Sequence, residues 1–95
     1  MIESPGYEDL LEEGRVQGRL QGELQGELRG RLQGQRDDII AALEARFGPV
    51  PAAVAAQVEQ LTDLPLLSAQ LRRAVVVESL EVFAQELAAV QLAPA

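Results

Sequence analysis

The chain has 95 residues, of which 47% are apolar and 24% charged, a composition typical of one small folded domain. Fifteen acidic residues against eight basic ones, all arginine, give a formal charge of −7, the reverse of the balance in most proteins that bind nucleic acids or anionic membranes. We therefore expect no membrane contact and no nucleic-acid binding by this chain alone. The first residues lack the basic and apolar regions of a signal peptide, which favours a cytoplasmic location.

Histidine, lysine and cysteine are all missing from the sequence. The chain therefore has no imidazole to move protons near neutral pH, no amine nucleophile, and no thiol or imidazole to bind zinc. Adjacent acids occur at Glu12–Glu13 and Asp37–Asp38, but neighbours on a helix point about 100° apart, so we interpret them as solvated surface. We expect no catalytic residue, no cofactor, no metal and no enzymatic activity.

The first predicted element is a long helix. We interpret residues 1–6, which contain a proline and a glycine, as a lead-in segment. Glu8 and Asp9 then fall in the first helical turn, where negative charge suits the helix dipole. Because no proline occurs in residues 7–47, we predict one continuous helix over that range.

A four-residue repeat, "GRVQGRLQGELQGELRGRLQG", occupies residues 14–34 of this helix. Six interior glycines cost a helix roughly 5 kcal/mol relative to alanine. Close packing against another backbone would offset that cost, so we predict that the repeat is a self-association interface. The predicted interface residues are Gly14, Val16, Gly18, Leu20, Gly22, Leu24, Gly26, Leu28, Gly30, Leu32 and Gly34.

The repeat also carries information about geometry. Its period of four exceeds the 3.6 residues of a helical turn, which favours a right-handed crossing over a leucine zipper. An antiparallel pair centred on Gln21 places Arg15 level with Glu27 and Arg19 level with Glu23, and each leucine level with a glycine. Two other interpretations stay open, namely a flexible linker and a repeat lengthened by replication slippage.

The remaining predicted elements are three short helices, which form a small helical domain over residues 48–92, followed by a frayed tail at 93–95. Gly48 and Pro49 end the long helix, and Pro51 opens the next one. Thr62 or Asp63 is expected to cap the third helix. The predicted inward faces are Val54, Val58 and Leu61 on the second helix, Leu64, Leu67, Leu71 and Val75 on the third, and Leu80, Phe83, Leu87 and Val90 on the fourth, which Ser79 caps. The valines at 75–77 leave a short strand as a weaker alternative.

Three stretches, read in order, are similar to one known arrangement. They are "ESPGYEDLLEEGRVQGRLQGELQG" at residues 3–26, "IIAALEARFGPVP" at 39–51, and "QVEQLTDLPLLSAQLRRAVVVESLEVF" at 57–83. The first resembles the junction after the nuclease domain of bacterial Rpn-like proteins, the recombination-promoting nuclease or putative transposase family with a PD-(D/E)xK nuclease fold. The other two resemble the domain of unknown function that follows that junction.

The resemblance implies the oligomerisation part of such a protein without its catalytic part. The family's nuclease domain would precede Met1, and its chemistry requires a lysine that this chain lacks, so no catalytic residue is carried over. We expect a homo-oligomer, a dimer or tetramer, that binds and regulates a full-length Rpn-like nuclease in the manner of an antitoxin. One alternative is an accessory nucleic-acid-binding domain that uses Arg29, Arg31, Arg36, Arg72 and Arg73; the other is similarity to flagellar export regulators, which also carry G-x-x-x-G runs.

Overall fold

The computed structural model describes residues 7–92, and within that range it contains four helices and no strand. Helix α1 spans Tyr7–Phe47, α2 spans Ala52–Glu59, α3 spans Leu64–Val76 and α4 spans Leu80–Leu92. The predicted all-α class, with one long helix followed by three short ones, is confirmed. The predicted lead-in at 1–6 and tail at 93–95 lie outside the described residues.

Local sequence signals determine where α1 ends and α2 begins. Gly48 has φ of +88°, a left-handed conformation that glycine adopts without strain, and its N–H donates to the carbonyl oxygen of Glu44 at 2.9 Å. Pro49 then prevents the helix from continuing. Pro51 is the residue before α2 and has an extended backbone, with ψ of 147°, so it precedes the helix rather than forming its first residue.

Side chains cap the first turns of α3 and α4. The Asp63 carboxylate accepts a hydrogen bond from the backbone N–H of Leu66 at 3.2 Å. The Ser79 hydroxyl oxygen accepts one from the N–H of Val82, also at 3.2 Å. Such caps contribute about 1 kcal/mol each. Of the two predicted candidates for α3, Asp63 is therefore the cap, and the prediction for Ser79 is confirmed.

The contacts divide the described chain into two units, residues 7–30 and residues 31–92. We call the first the repeat arm and the second the compact unit. The compact unit includes the end of α1, so it begins at Arg31 rather than at the helix boundary near Gly48. Its core draws on all four helices: Leu32, Ile39, Leu43, Val54, Val58, Leu61, Leu67, Ala74, Val77, Phe83 and Leu87.

The predicted inward face of α3 is partly wrong. Val75 is 55% exposed, whereas Leu67, Gln70 and Ala74 are buried. The buried positions recur three and four residues apart, and Val75 points about 100° away from Ala74. Val75 and Val76 are helical, so the strand alternative is wrong for them, while Val77 leaves the helix with ψ of 147° and is buried. On α2 and α4 the predicted faces are confirmed, since Val54, Val58, Leu61, Phe83 and Leu87 are buried and Leu80 and Val90 are half-buried.

Two arginines of α1 bind the carbonyl ends of other helices. The Arg36 guanidinium donates to the Leu61 carbonyl oxygen, from Nε at 3.0 Å and from Nη2 at 2.6 Å. Arg46 Nη1 donates to the Ala74 carbonyl oxygen at 2.9 Å. These carbonyls lie at or just beyond the ends of α2 and α3, where backbone oxygens lack helical partners and the helix dipole favours a cation. The contacts attach α1 to both neighbours within the compact unit.

Candidate self-association surface

The repeat arm is exposed along its whole described length. Every residue from 8 to 30 is exposed, and the predicted acidic first turn is confirmed. Loose ion pairs lie along the helix, such as Arg15–Glu12 at 3.6 Å and Arg19–Glu23 at 3.9 Å, with side chains at least 64% exposed. Pairs of this kind contribute about 0.5 kcal/mol or less. They offset little of the cost of the glycines.

We define the apolar line as Val16, Leu20, Leu24 and Leu28. These side chains are 38%, 48%, 64% and 47% exposed, respectively. A single exposed leucine is ordinary, but a row of four along one helix is a contiguous apolar patch of the kind that marks interaction sites. Leu32, the next apolar residue of the repeat, is only 8% exposed because it lies in the core of the compact unit. The exposed part of the predicted stripe therefore ends at Leu28.

We define the glycine line as the six glycines of the repeat. A Cβ atom added at any of them would meet no atom of this chain within 4 Å outside the local helix. No atom of the described chain therefore occupies the space that a side chain at these positions would fill. Packing within the chain does not explain why these positions are glycine. The line comprises Gly14, Gly18, Gly22, Gly26, Gly30 and Gly34.

Helical geometry separates the predicted interface residues into two sides. Each apolar residue follows a glycine by two positions, which is about 200° around the helix. At each level the two lines therefore lie on nearly opposite sides, and both wind about 40° around the helix per repeat, so one neighbouring helix covers one line at a given level. The other two repeat positions form the edges between them: a charged edge of Arg15, Arg19, Glu23 and Glu27, and a glutamine edge of Gln17, Gln21 and Gln25.

Two exposed leucines were not among the predicted interface residues. Leu10 is 65% exposed and Leu11 is 49% exposed, and both lie on α1 before the repeat begins. Leu10 points to the same side as Leu28, because a whole number of helical turns separates them. Leu10 could have been predicted from its position five helical turns before Leu28. The four-residue repeat does not predict it, because the repeat begins only at Gly14.

The adjacent acids form no candidate metal centre. Glu12 and Glu13 are exposed, as are Asp37 and Asp38. Asp37 accepts a hydrogen bond from Gln33 Nε2 at 2.9 Å, an ordinary contact one turn apart. Among residues 7–92, no group of three or more acidic side chains is placed to hold a metal ion.

Among the arginines considered for nucleic-acid binding, Arg36 and Arg73 make well-defined contacts within the compact unit. Arg36 binds the Leu61 carbonyl and lies 3.8 Å from the Glu59 carboxylate. Arg73 makes two hydrogen bonds to Glu86, at 2.8 and 2.7 Å. The hydrogen bond from Arg73, helped by its charge and opposed by desolvation, lowers the pKa of the Glu86 carboxyl below its ordinary value. Each of these two arginines therefore lies beside an acidic side chain.

Comparisons with protein-family models, with curated proteins and with solved structures gave no match. They therefore identify no family for this chain. Within residues 7–92, no helix combines the length and the apolar character that crossing a lipid bilayer requires.

Proposed function

We propose that this chain is a non-enzymatic self-association module whose repeat arm pairs with the arm of another copy. The observation that carries the proposal is the apolar line, four aliphatic side chains that stand 38–64% exposed in a row on a helix where nothing else of the described chain covers them. Apolar surface of this kind is stabilised by being covered. A second arm offers the same line and the same helical shape.

The size of the apolar line sets the expected affinity. Covering the exposed half of each side chain would contribute about 1 kcal/mol, or about 8 kcal/mol for the eight side chains of two copies. Bringing two chains together costs about 4–15 kcal/mol. The apolar line alone therefore leaves at most about 4 kcal/mol, which corresponds to a dissociation constant of about 1 mM or weaker. An experiment must therefore cover a wide range of concentrations.

The test is the mass of the protein in solution, measured by light scattering after size exclusion over a series of concentrations up to about 1 mM. We expect the wild-type mass to rise above that of one chain. The double variant Leu20→Gln with Leu24→Gln should remain a monomer, because it removes the centre of the apolar line while keeping good helix formers.

A matched control is Val75→Gln with Val76→Gln, which removes two equally exposed apolar side chains from the compact unit. It should associate like the wild type. A wild-type chain that stays monomeric throughout would overturn the proposal. So would unchanged association of the Leu20→Gln, Leu24→Gln variant, which would place the contact elsewhere.

The proposal extends to a partner in the bacterial cytoplasm, namely a full-length Rpn-like nuclease with a similar repeat. The support is the resemblance of residues 3–26, 39–51 and 57–83 to the region after the nuclease domain of that family. A chain that occupied the arm of such a nuclease would regulate its assembly, as an antitoxin does. Affinity purification of the tagged chain from its own cells should recover a longer protein with this repeat, and the Leu20→Gln, Leu24→Gln variant should lose it. Recovery of no such protein by the wild type would reject this extension.

A further inference from the structure

The apolar line is flanked by two chemically different edges. Their residues indicate the direction and the register in which a second copy would lie against it. The charged edge changes sign along the arm, from arginine at 15 and 19 to glutamate at 23 and 27, with Gln21 at the midpoint. The opposite edge carries glutamine at 17, 21 and 25. Both edges lie about 100° from the apolar line, close enough to meet the matching edge of a helix that covers the line.

We infer that two copies pair through their apolar lines in antiparallel direction, with Gln21 of each chain at the centre of the contact. This inference rests on the proposed self-association. It specifies the occupant of the exposed face as a second copy of this chain in one direction and one register.

The charges favour this arrangement over a parallel one. In the antiparallel pair, Arg15 lies level with Glu27 of the second copy and Arg19 level with Glu23, and the two-fold symmetry repeats both pairs. A parallel pair would place the charged edge of each copy beside the glutamine edge of the other, so these ion pairs would not form. The intrahelical pairs Arg15–Glu12 and Arg19–Glu23, at 3.6 and 3.9 Å, are longer than hydrogen bonds and leave guanidinium donors for a second carboxylate.

The apolar side chains interdigitate in the same register. Leu20 of the second copy lies level with residue 22, midway between Leu20 and Leu24 of the first. Leu24 of the second copy lies level with residue 18, midway between Val16 and Leu20. A parallel pair would instead stack identical residues at identical levels. Each leucine is therefore level with a glycine of the other copy, but it packs between apolar side chains, because the glycine line lies on the far side of both helices.

The absence of cysteine from the chain allows a direct test by crosslinking. Single cysteines are introduced as Gln17→Cys and Gln25→Cys on the glutamine edge, and a short bifunctional maleimide is added. In the inferred register, residue 17 of one chain lies level with residue 25 of the other. Two copies of residue 17 lie about 12 Å apart along the axis. We expect crosslinked dimer from a mixture of the two variants and none from either variant alone.

Gln21→Cys is the matched control, because residue 21 lies level with its own copy in either direction. If Gln21→Cys crosslinks while Gln17→Cys and Gln25→Cys each crosslink alone and gain nothing on mixing, the pair is parallel and the inference is overturned. If Gln21→Cys crosslinks but no combination of the other two does, the register is wrong. If Gln21→Cys also fails and the wild type is monomeric by light scattering, the proposed self-association has failed as well.

A charge-exchanged chain gives an independent readout. It carries Arg15→Glu, Arg19→Glu, Glu23→Arg and Glu27→Arg, which leaves composition and net charge unchanged. In the antiparallel register this chain pairs with itself as well as the wild type does, but mixed pairs meet like charges on every level. We expect tagged wild type to capture wild type and not the exchanged chain at low salt. Equal capture of the two chains, or preferential capture of the exchanged chain, would overturn the inference.

Discussion

At the scale of single residues, the compact unit is stabilised by side chains that bind backbone ends. Arg36 illustrates this most clearly. Only 14% of its side chain is exposed, and two nitrogens of its guanidinium donate to the same carbonyl oxygen, that of Leu61. Gln91 Nε2 donates to the Gln57 carbonyl oxygen at 2.7 Å in a similar way. Gln70 is the opposite case, because it is 6% exposed and its Oε1 has no hydrogen-bond partner in the described structure. A buried polar atom of this kind costs about 1–3 kcal/mol.

The Arg73–Glu86 pair makes stability depend on pH. Arg73 lowers the pKa of Glu86 in the folded chain below the ordinary glutamate value of 4.5. The unfolded chain therefore takes up this proton first as the pH falls, so the contribution of the pair is complete above 4.5 and is lost as the pH falls through the lower, folded value. We expect the urea midpoint to fall in that acid range, and to fall less in Glu86→Gln, which cannot titrate.

The matched control for the pH experiment is Glu81→Gln, which removes an exposed glutamate from the same helix. Its urea midpoint should fall with pH as steeply as that of the wild type. Because the side chains of Arg73 and Glu86 are 42% and 39% exposed, the difference is expected to be small. An NMR titration gives the pKa of Glu86 directly, and a value at or above that of exposed glutamates would contradict the prediction.

Residues whose role depends on neighbours in sequence could be predicted, and those whose role depends on the tertiary fold could not. Gly48, Asp63 and Ser79 act on backbone groups within four residues, so their roles followed from local pattern. The repeat gives Leu28 and Leu32 the same chemistry, yet one is exposed and the other buried. The difference arises from helices that fold against Leu32 from later in the chain.

At the scale of elements, α1 is one helix with two different environments. Its later part contributes Leu32, Ile39 and Leu43 to the core, whereas residues 8–30 bury nothing. In a single copy, helical propensity and weak ion pairs maintain this exposed part, and glycine lowers that propensity in every turn. The helix bounds were predictable because prolines are absent between 7 and 47 and Gly48 ends the run.

Replacing glycine by alanine in the arm should strengthen the helix. Gly22→Ala and Gly26→Ala should each add about 0.8–1 kcal/mol of helical stability, because the new methyl groups meet no atom within 4 Å. Hydrogen exchange of arm amides, measured at low concentration, should slow accordingly. Gly48→Ala is the matched control and should destabilise the protein by about 1–2 kcal/mol, since its φ is +88°.

The same variants test which side of the arm makes the contact. The glycine line lies opposite the apolar line, so the alanines should leave pairing intact or strengthen it. A loss of association in Gly22→Ala with Gly26→Ala would show that the glycine line is the contact surface, and would contradict the inferred use of the apolar line.

At the scale of the whole molecule, the two units have different sources of stability. Residues 31–92 share one apolar core, which is the basis for cooperative unfolding. The repeat arm buries no side chain among residues 8–30, so the proposed pairing would be its main source of stability. We expect two thermal transitions by circular dichroism: one from the arm, whose midpoint rises with protein concentration, and one from the compact unit, whose midpoint does not. A single transition that moves as a whole with concentration would contradict this prediction.

The candidate surface was only partly evident from the sequence. The repeat drew attention to residues 14–34, and Val16, Leu20, Leu24 and Leu28 are exposed as an interface requires. The apolar and glycine positions lie on opposite sides because each residue advances about 100° around the helix. This separation is not visible in the linear sequence of the repeat. The burial of Leu32, which ends the exposed line, needed the fold of the compact unit.

The exposure of the repeat arm has a consequence for the lifetime of the protein in the cell. A helix with a glycine in every turn and no buried side chain opens easily, and an opened segment can enter the active site of a protease. The proposed pairing would cover the arm and oppose that opening. Unpaired copies would then be degraded faster than paired ones, so the cell would retain this protein mainly when enough of it is made to pair.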